Sequence, residues 1–325
     1  MKLLRALALM LLVAGGLVYW RLRPYQGFAG DVFVEIPRGT STAGIAKLLA
    51  DAGVVRSRWD FLLARAIERG KRLQAGEYRF READSALRVY ERIARGDIFY
   101  YELVVPEGRN MFDIGTAAEQ LGVFPAERFV AAARNPAMIR DLDPKAETLE
   151  GYLFPDTYRL NRQTTPEGLC RLMTGKFREV WGGIGSEANV HDTVTLASLV
   201  EKEGKLPEER ARIAAVFRNR LRIGMKLDCD PTTIYAALLE NRYRGTIYRS
   251  DLESENAYNT YKHTGLPPGP IANPGLASIK AALRPADIAA LYFVLRPDGS
   301  GGHQFSDNIA DQQAAVARYR RGHER

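Results

Sequence analysis

Residues 34–54 read VEIPRGTSTAGIAKLLADAGV, and residues 103–123 read LVVPEGRNMFDIGTAAEQLGV. The two stretches align without a gap: Pro37 matches Pro106, Gly39 matches Gly108, Ile45 matches Ile114 and Gly53 matches Gly122, each pair 69 positions apart. Each stretch predicts a short strand, a Pro-x-Gly turn, a polar helix start and a helix closed by glycine, which adopts a left-handed backbone without a Cβ penalty. Between the copies, 57–68 (SRWDFLLARAIE) has the spacing of an amphipathic helix, 76–80 predicts a short strand, and 85–95 another helix. The fold class is therefore α+β, built outward from a duplicated βα element.

The strand, Pro-x-Gly turn and helix order resembles LysM modules, which bind the N-acetylglucosamine-containing chains of peptidoglycan and chitin. Equal weight goes to the reading in which the duplication only builds a stable α+β platform, because no carbohydrate-stacking aromatic stands out in either copy. The organisation expected is a tail and transmembrane anchor over 1–24, a LysM-like α+β domain over 25–140 and a mixed α+β catalytic domain over 141–325.

The anchor is expected from MKLLRALALMLLVAGGLVYWRLR at the amino terminus, where Lys2 and Arg5 precede an apolar run over 6–20 and Arg21 and Arg23 follow it. At about 15 residues the run lies between a signal-peptide core and a spanning helix. No small-x-small cleavage site follows it, and Tyr19 and Trp20 suit a membrane interface, so the segment reads as a retained anchor with a short cytoplasmic tail. The 325-residue chain carries a formal charge of +7 with its arginines scattered, which argues against nucleic acid as a partner. Two cysteines, Cys170 and Cys229, are too few for a disulfide framework and read as unpaired small hydrophobes.

In the carboxy-terminal half, 166–180 predicts a helix with Thr165 as cap and Pro166 at the first position. Residues 191–207 read HDTVTLASLVEKEGKLP. Leu196, Leu199 and Val200 share one helix face, and Glu203 continues that stripe, whereas Glu201 falls beside Ala197, Ser198 and Lys205 and reads as a solvated ion-pair partner of Lys205. A carboxyl on an apolar face, at the negative end of the helix dipole, is disfavoured as an anion, and this makes Glu203 the candidate general acid. Proline and acids at 207–209 then start another helix that ends near Gly224.

Three polar, aperiodic segments could supply the rest of a site: 228–235 (DCDPTTIY), 258–265 (YNTYKHTG) and 266–275 (LPPGPIANPG). Tyr258, Asn259, Thr232 and Tyr261 are the candidate substrate-binding residues, offering hydroxyls, an amide and ring faces to a sugar. The Pro267-Pro268-Gly269 run reads as a rigid structural loop. Asp228 and Asp230 are possible second acids, but the DPTT context favours Asp230 as a helix cap. The four histidines have no metal-ligand spacing, no phosphate loop or nucleophile elbow occurs, and neither metal nor cofactor is expected. His263 in a polar loop and His303, after the tip of a hairpin with strands 291–295 and 303–306, are second-tier candidates.

Taken in order, EGYLFPDTY, ASLVEKEG, LRIGMKLDCDPTTIY, AYNTYKHTGLPPGPIANPGLASIKAAL and YFV followed by GGHQFS resemble the endolytic murein transglycosylase family over nearly the whole chain. The resemblance implies a lyase of peptidoglycan glycan strands, held in the inner membrane with its bulk in the periplasm, with peptidoglycan synthases as neighbours and termination of nascent strands as its role. It places the catalytic acid on the second glutamate of the EKE segment, Glu203, the residue chosen by the helix pattern. The family often has threonine next, where this chain has Gly204. Such an enzyme needs one carboxylate instead of the usual two. The C6 hydroxyl of N-acetylmuramic acid attacks within its own sugar, Glu203 protonates the bridging oxygen of the β-1,4 bond to N-acetylglucosamine, and the carboxylate then takes the hydroxyl proton. Two alternatives stay open: a lysozyme-type hydrolase, and a non-catalytic glycan-binding membrane scaffold.

Overall fold

A computed structural model describes residues 2–68 and 70–323. The chain divides into two compact units, 1–101 and 102–325.

The first unit begins with helix α1 (Lys2–Arg21), followed by β1 (Val32–Ile36), α2 (Thr42–Asp51), α3 (Arg58–Ile67), β2 (Gly76–Phe80) and α4 (Ala86–Arg95). Strands β1 and β2 pair antiparallel, with Val34 opposite Tyr78. Alternate residues of both strands, Val34 and Ile36 with Tyr78 and Phe80, face one core that receives Ile45 and Leu49 of α2, Phe61 of α3 and Tyr90 of α4. Each helix starts where the sequence supplies a cap: the hydroxyls of Ser41, Ser57 and Ser85 accept from backbone N–H groups of the first turns. At the exit of α1, Arg21 pairs with the buried Asp60 at 3.2 Å, and the Arg56 guanidinium lies 4.3 Å from the Trp20 ring.

The expected anchor segment is helical, but among the described residues no helix is long and apolar enough to cross a membrane. Met1 lies outside those residues, as do the side chains at 2–4, 6 and 7. What the helix shows is apolar exposure: Leu9, Met10, Leu11, Leu12, Val13 and Leu17 are each more than half exposed.

The second unit runs β3 (Tyr101–Val104), α5 (Met111–Gln120), α6 (Ala126–Ala133), β4 (Thr157–Leu160), α7 (Pro166–Ile184), α8 (Val190–Glu203), α9 (Arg210–Arg222), α10 (Asp230–Leu239), α11 (Arg249–Leu252), α12 (Leu276–Leu283), β5 (Tyr292–Leu295), β6 (His303–Ser306) and α13 (Ile309–His323). The duplication is real at the level of structure. Helices α2 and α5 coincide under the same 69-residue shift, their caps Ser41 and Asn110 correspond, and Gly53 and Gly122 take φ values of +70° and +72° just past the helix ends. Each copy continues into a second helix and a strand that pairs with its first, β1 with β2 and β3 with β4.

The sequence boundary at 140 and the structural break at 101 differ, and hydrogen bonding explains why. The turn of the second copy is bonded into the second unit: Gly108 N–H donates to the Asn273 carbonyl, Asn273 donates to the Arg109 carbonyl, and Met111 N–H donates to the Glu150 carboxyl. The expected helix over 207–224 is also modified. Pro207–Glu209 forms a 3-10 turn, and the α-helix starts at Arg210.

One helix of the first unit offers a contrast that separates core from surface. Phe61 is fully buried and Trp59, two residues earlier, is 61% exposed. We expect Phe61→Ala to lower the unfolding free energy by about 3–5 kcal/mol, while Trp59→Ala stays within about 0.5 kcal/mol, measured by urea denaturation.

Candidate active site

Helix α8 is buried on every side from Thr193 to Val200, packed by α9, α10 and α12. Its apolar residues therefore do not form a stripe with a wet face opposite. This corrects the reading of Glu201, which is no solvated partner of Lys205. Its side chain is 5% exposed, pairs with Arg210 at 3.1 Å and accepts the Gly275 N–H at 3.0 Å. Neighbouring elements thus supply a buried environment to both glutamates.

Partners separate the two. Glu201 has a guanidinium and a peptide N–H. Glu203, in the last residue of the helix, has a thiol: Cys229 Sγ–H donates to its Oε1 at 3.3 Å. Protein crowds the Glu203 carboxyl, and the lost hydration pushes its pKa above the ordinary carboxylate range. The bond from Cys229 works against that rise, the Asp230 carboxylate adds to it, and His303 and Arg220 oppose it more weakly. The residue keeps part of its surface open, so it can hold a proton and also meet a ligand. The chain turns away at Gly204, where a Cβ would lie 3.0 Å from the Val200 carbonyl and 3.1 Å from the Arg210 side chain.

Arg220 and His303 are held by other segments. The Arg220 guanidinium donates to the carbonyls of Leu291 and Leu227 at 2.6 and 2.8 Å. His303, 6% exposed, bonds through Nδ1 to Glu209 at 2.7 Å, and Glu209 also accepts the His303 N–H and pairs with Arg296 at 3.3 Å. The hairpin histidine is thus a buried residue whose charge interaction reaches the acid. Hairpin pairing brought it there: β5 and β6 are antiparallel with Leu295 opposite His303.

The four expected substrate-binding residues separate. Tyr261 is tied to the start of α10, its hydroxyl donating to Asp230 Oδ1 at 2.6 Å. Tyr258 packs against Tyr235 with the rings tilted at 57° and centroids 5.1 Å apart, and its phenol is pushed up by burial. Thr232 and Asn259 are completely buried. Thr232 donates to the Cys229 carbonyl at 2.6 Å and bonds the Thr260 hydroxyl at 2.9 Å, while the Asn259 amide donates to the carbonyls of Leu252 and Ser254. Here they scaffold the loops beneath the acid. Asp230 is not the expected cap either: Cys229 occupies the cap position without a side-chain cap bond, and Asp230, exposed, stands in the first turn. The Pro267-Pro268-Gly269 loop is fastened by His191, which bridges Asp143 at 2.8 Å and the Pro268 carbonyl at 2.9 Å. Both cysteines are free and buried. Among the described residues no group of His, Cys, Asp and Glu could hold a metal ion.

Comparison with known proteins gives this geometry its lineage. The profile of the YceG-like family matches residues 34–318. The chain belongs to the YceG-like family. A relative, the endolytic murein transglycosylase of Bacillus subtilis, is 31% identical over 95% of this chain and 91% of its own length. The endolytic murein transglycosylase of Streptococcus pneumoniae D39 is 30% identical over 89% of this chain, which spans 58% of that longer protein. The crystal structure of a putative YceG-like protein from Listeria monocytogenes superposes with a TM-score of 0.55 at 29% identity, covering 88% of this chain and 99% of that one.

A second carboxyl raised by burial, Glu150, is not singled out by the sequence of this YceG-like chain. Glu150 is 1% exposed, accepts from Met111 N–H at 3.0 Å, Asn273 Nδ2 at 2.7 Å and the Tyr235 hydroxyl, and is pushed by burial from 4.5 to about 8. The Asn273 Oδ1 in turn accepts from Gly151 and Leu153. Because the folded chain keeps a proton that the unfolded chain releases, this stabilisation is complete below about pH 4.5 and is lost as pH rises through about 8. We expect the urea midpoint to fall between about pH 5 and pH 9, and Glu150→Gln to flatten that slope.

Proposed function

We propose that the chain is an endolytic peptidoglycan lytic transglycosylase, a lyase that cleaves the β-1,4 bond from N-acetylmuramic acid to N-acetylglucosamine and leaves 1,6-anhydro ends. The observation that carries this is a single acid, Glu203, that is crowded by protein, raised in pKa and still partly open, in a member of a family whose curated relatives bear that name. A group shifted in that direction is disposed to keep a proton, which it can give to the bridging oxygen. The C6 hydroxyl of the same sugar closes on C1 as the C1–O bond breaks, and its proton passes to the Glu203 carboxylate. Proximity within one ring replaces an activated water.

The neighbouring carboxylates are already engaged. Glu201 is neutralised by Arg210, Glu209 holds His303 and Arg296, and Asp230 accepts from Tyr261. Asp230 is nonetheless exposed and close enough to raise Glu203, which is the one observation favouring a lysozyme-type hydrolase as the second reading.

We place the chain at the inner membrane with its bulk in the periplasm, where it would meet nascent strands beside the synthases that extend them. The exposed apolar length of α1, followed by Trp20 and two arginines, supports this reading. For the duplicated βα elements we propose a LysM-like hold on glycan; a groove of about 400 Å³ lined by Pro106, Arg109, Asp113, Thr116 and Gln120 runs along the second copy and supports it.

Mass spectrometry of digested sacculi tests the chemistry. The wild type should release fragments lighter by one water than hydrolytic products, and Glu203→Gln should lower their rate by at least about a thousandfold. Reducing ends alone would select the hydrolase, and no release by the wild type would select a scaffold.

A further inference from the structure

The contact nearest the acid has no part in the reaction just proposed, and it is chemically unusual. Cys229 is 1% exposed and fully enclosed, yet its thiol is directed at a carboxyl instead of an apolar wall. The residue is also held at each backbone group. Its N–H donates to Thr260 Oγ1 at 3.0 Å, its carbonyl accepts from Thr232 Oγ1 at 2.6 Å and from the Thr232 N–H, and the two threonine hydroxyls bond each other. The start of α10 and the 258–265 loop therefore converge on the backbone of Cys229. Such a support fixes a side chain to within the tolerance a proton donor needs.

We propose that Cys229 is a positioning residue for Glu203: its thiol occupies Oε1 and leaves Oε2 as the oxygen that carries the transferable proton. The inference rests on the lyase reading of Glu203. In the step proposed above, the Oε2–H bond breaks as the bridging oxygen takes the proton, and the C6 hydroxyl proton returns to the same oxygen, while Sγ–H stays on Oε1 throughout. A thiol suits this place because it orients without strongly favouring the anion. An alcohol of the same shape donates a stronger hydrogen bond, which would hold the carboxylate form more tightly and weaken the acid's grip on its proton. The other charged groups facing Glu203 are Asp230 on the same helix start, His303 on β6 and Arg220 on α9, and all three remain in the variants below.

The test compares wild type, Cys229→Ser and Cys229→Ala as full chains on purified sacculi, recording kcat, KM and the pH dependence of anhydro-product release. Cys229→Ser should keep kcat at its optimum within about threefold and move the high-pH limb of the profile to lower pH, because the alcohol favours the carboxylate. Cys229→Ala should lower kcat by about tenfold or more with KM unchanged, the signature of a misaligned donor. Wild-type kcat and an unmoved profile in both variants would overturn the proposal. Equal losses in both, with an unmoved profile and a lowered Tm, would assign Cys229 to packing and overturn it as well. Glu203→Gln run in parallel separates the two levels: if it stays active, the reading of Glu203 fails; if it is inactive while the cysteine variants behave as wild type, only the role of Cys229 fails.

Discussion

Two carboxylates in the last turn of a helix that is buried on all sides set the terms for the rest of the second unit. Each must find a donor or remain neutral, since an unpaired buried anion costs several kcal/mol. Glu201 takes Arg210 and the Gly275 N–H, and those bonds fasten α9 and the 266–275 loop to α8. Glu203 takes only a weak donor among the described residues and is left disposed to keep its proton. The same helix end thus joins the framework through one glutamate and leaves the other partly open.

The loops around that end follow the same rule of satisfied polar groups. Asn273 uses backbone and side chain to join residues 108–111, 150–153 and its own loop. His191 secures the proline loop through Asp143 and the Pro268 carbonyl. Thr232, Thr260 and Asn259 form the floor under Cys229 and Tyr261. These networks explain why so many polar side chains of loops that look like a binding surface are directed inward.

Sequence patterns recovered much of this where the controlling interactions are local. The strand at 76–80, the helices after Ser57, Ser85 and Thr165, and the hairpin ending at His303–Ser306 lie where caps, periodicity and turn residues placed them. Periodicity singles out Glu203 on the supposition that one face of its helix is wet. That supposition failed for Glu201, because α9 and α12 cover the face that periodicity assigned to water. Asn259 and Thr232 were placed on a sugar because amides and hydroxyls in aperiodic segments look available, and nothing in 258–265 shows that 251–254 folds over it.

By itself the sequence determined the duplicated βα element, most helix starts and the family, and it singled out Glu203 as the candidate acid, since each depends on residues within a few positions or on an ordered set of motifs. Tertiary structure decided what surrounds that acid. A thiol 26 residues away, an aspartate beside it and a histidine on a distant hairpin reach Glu203 only when α8, α10 and β6 pack together. The proton affinity of a carboxyl is set by hydration and neighbouring charge, and both are properties of packing in space.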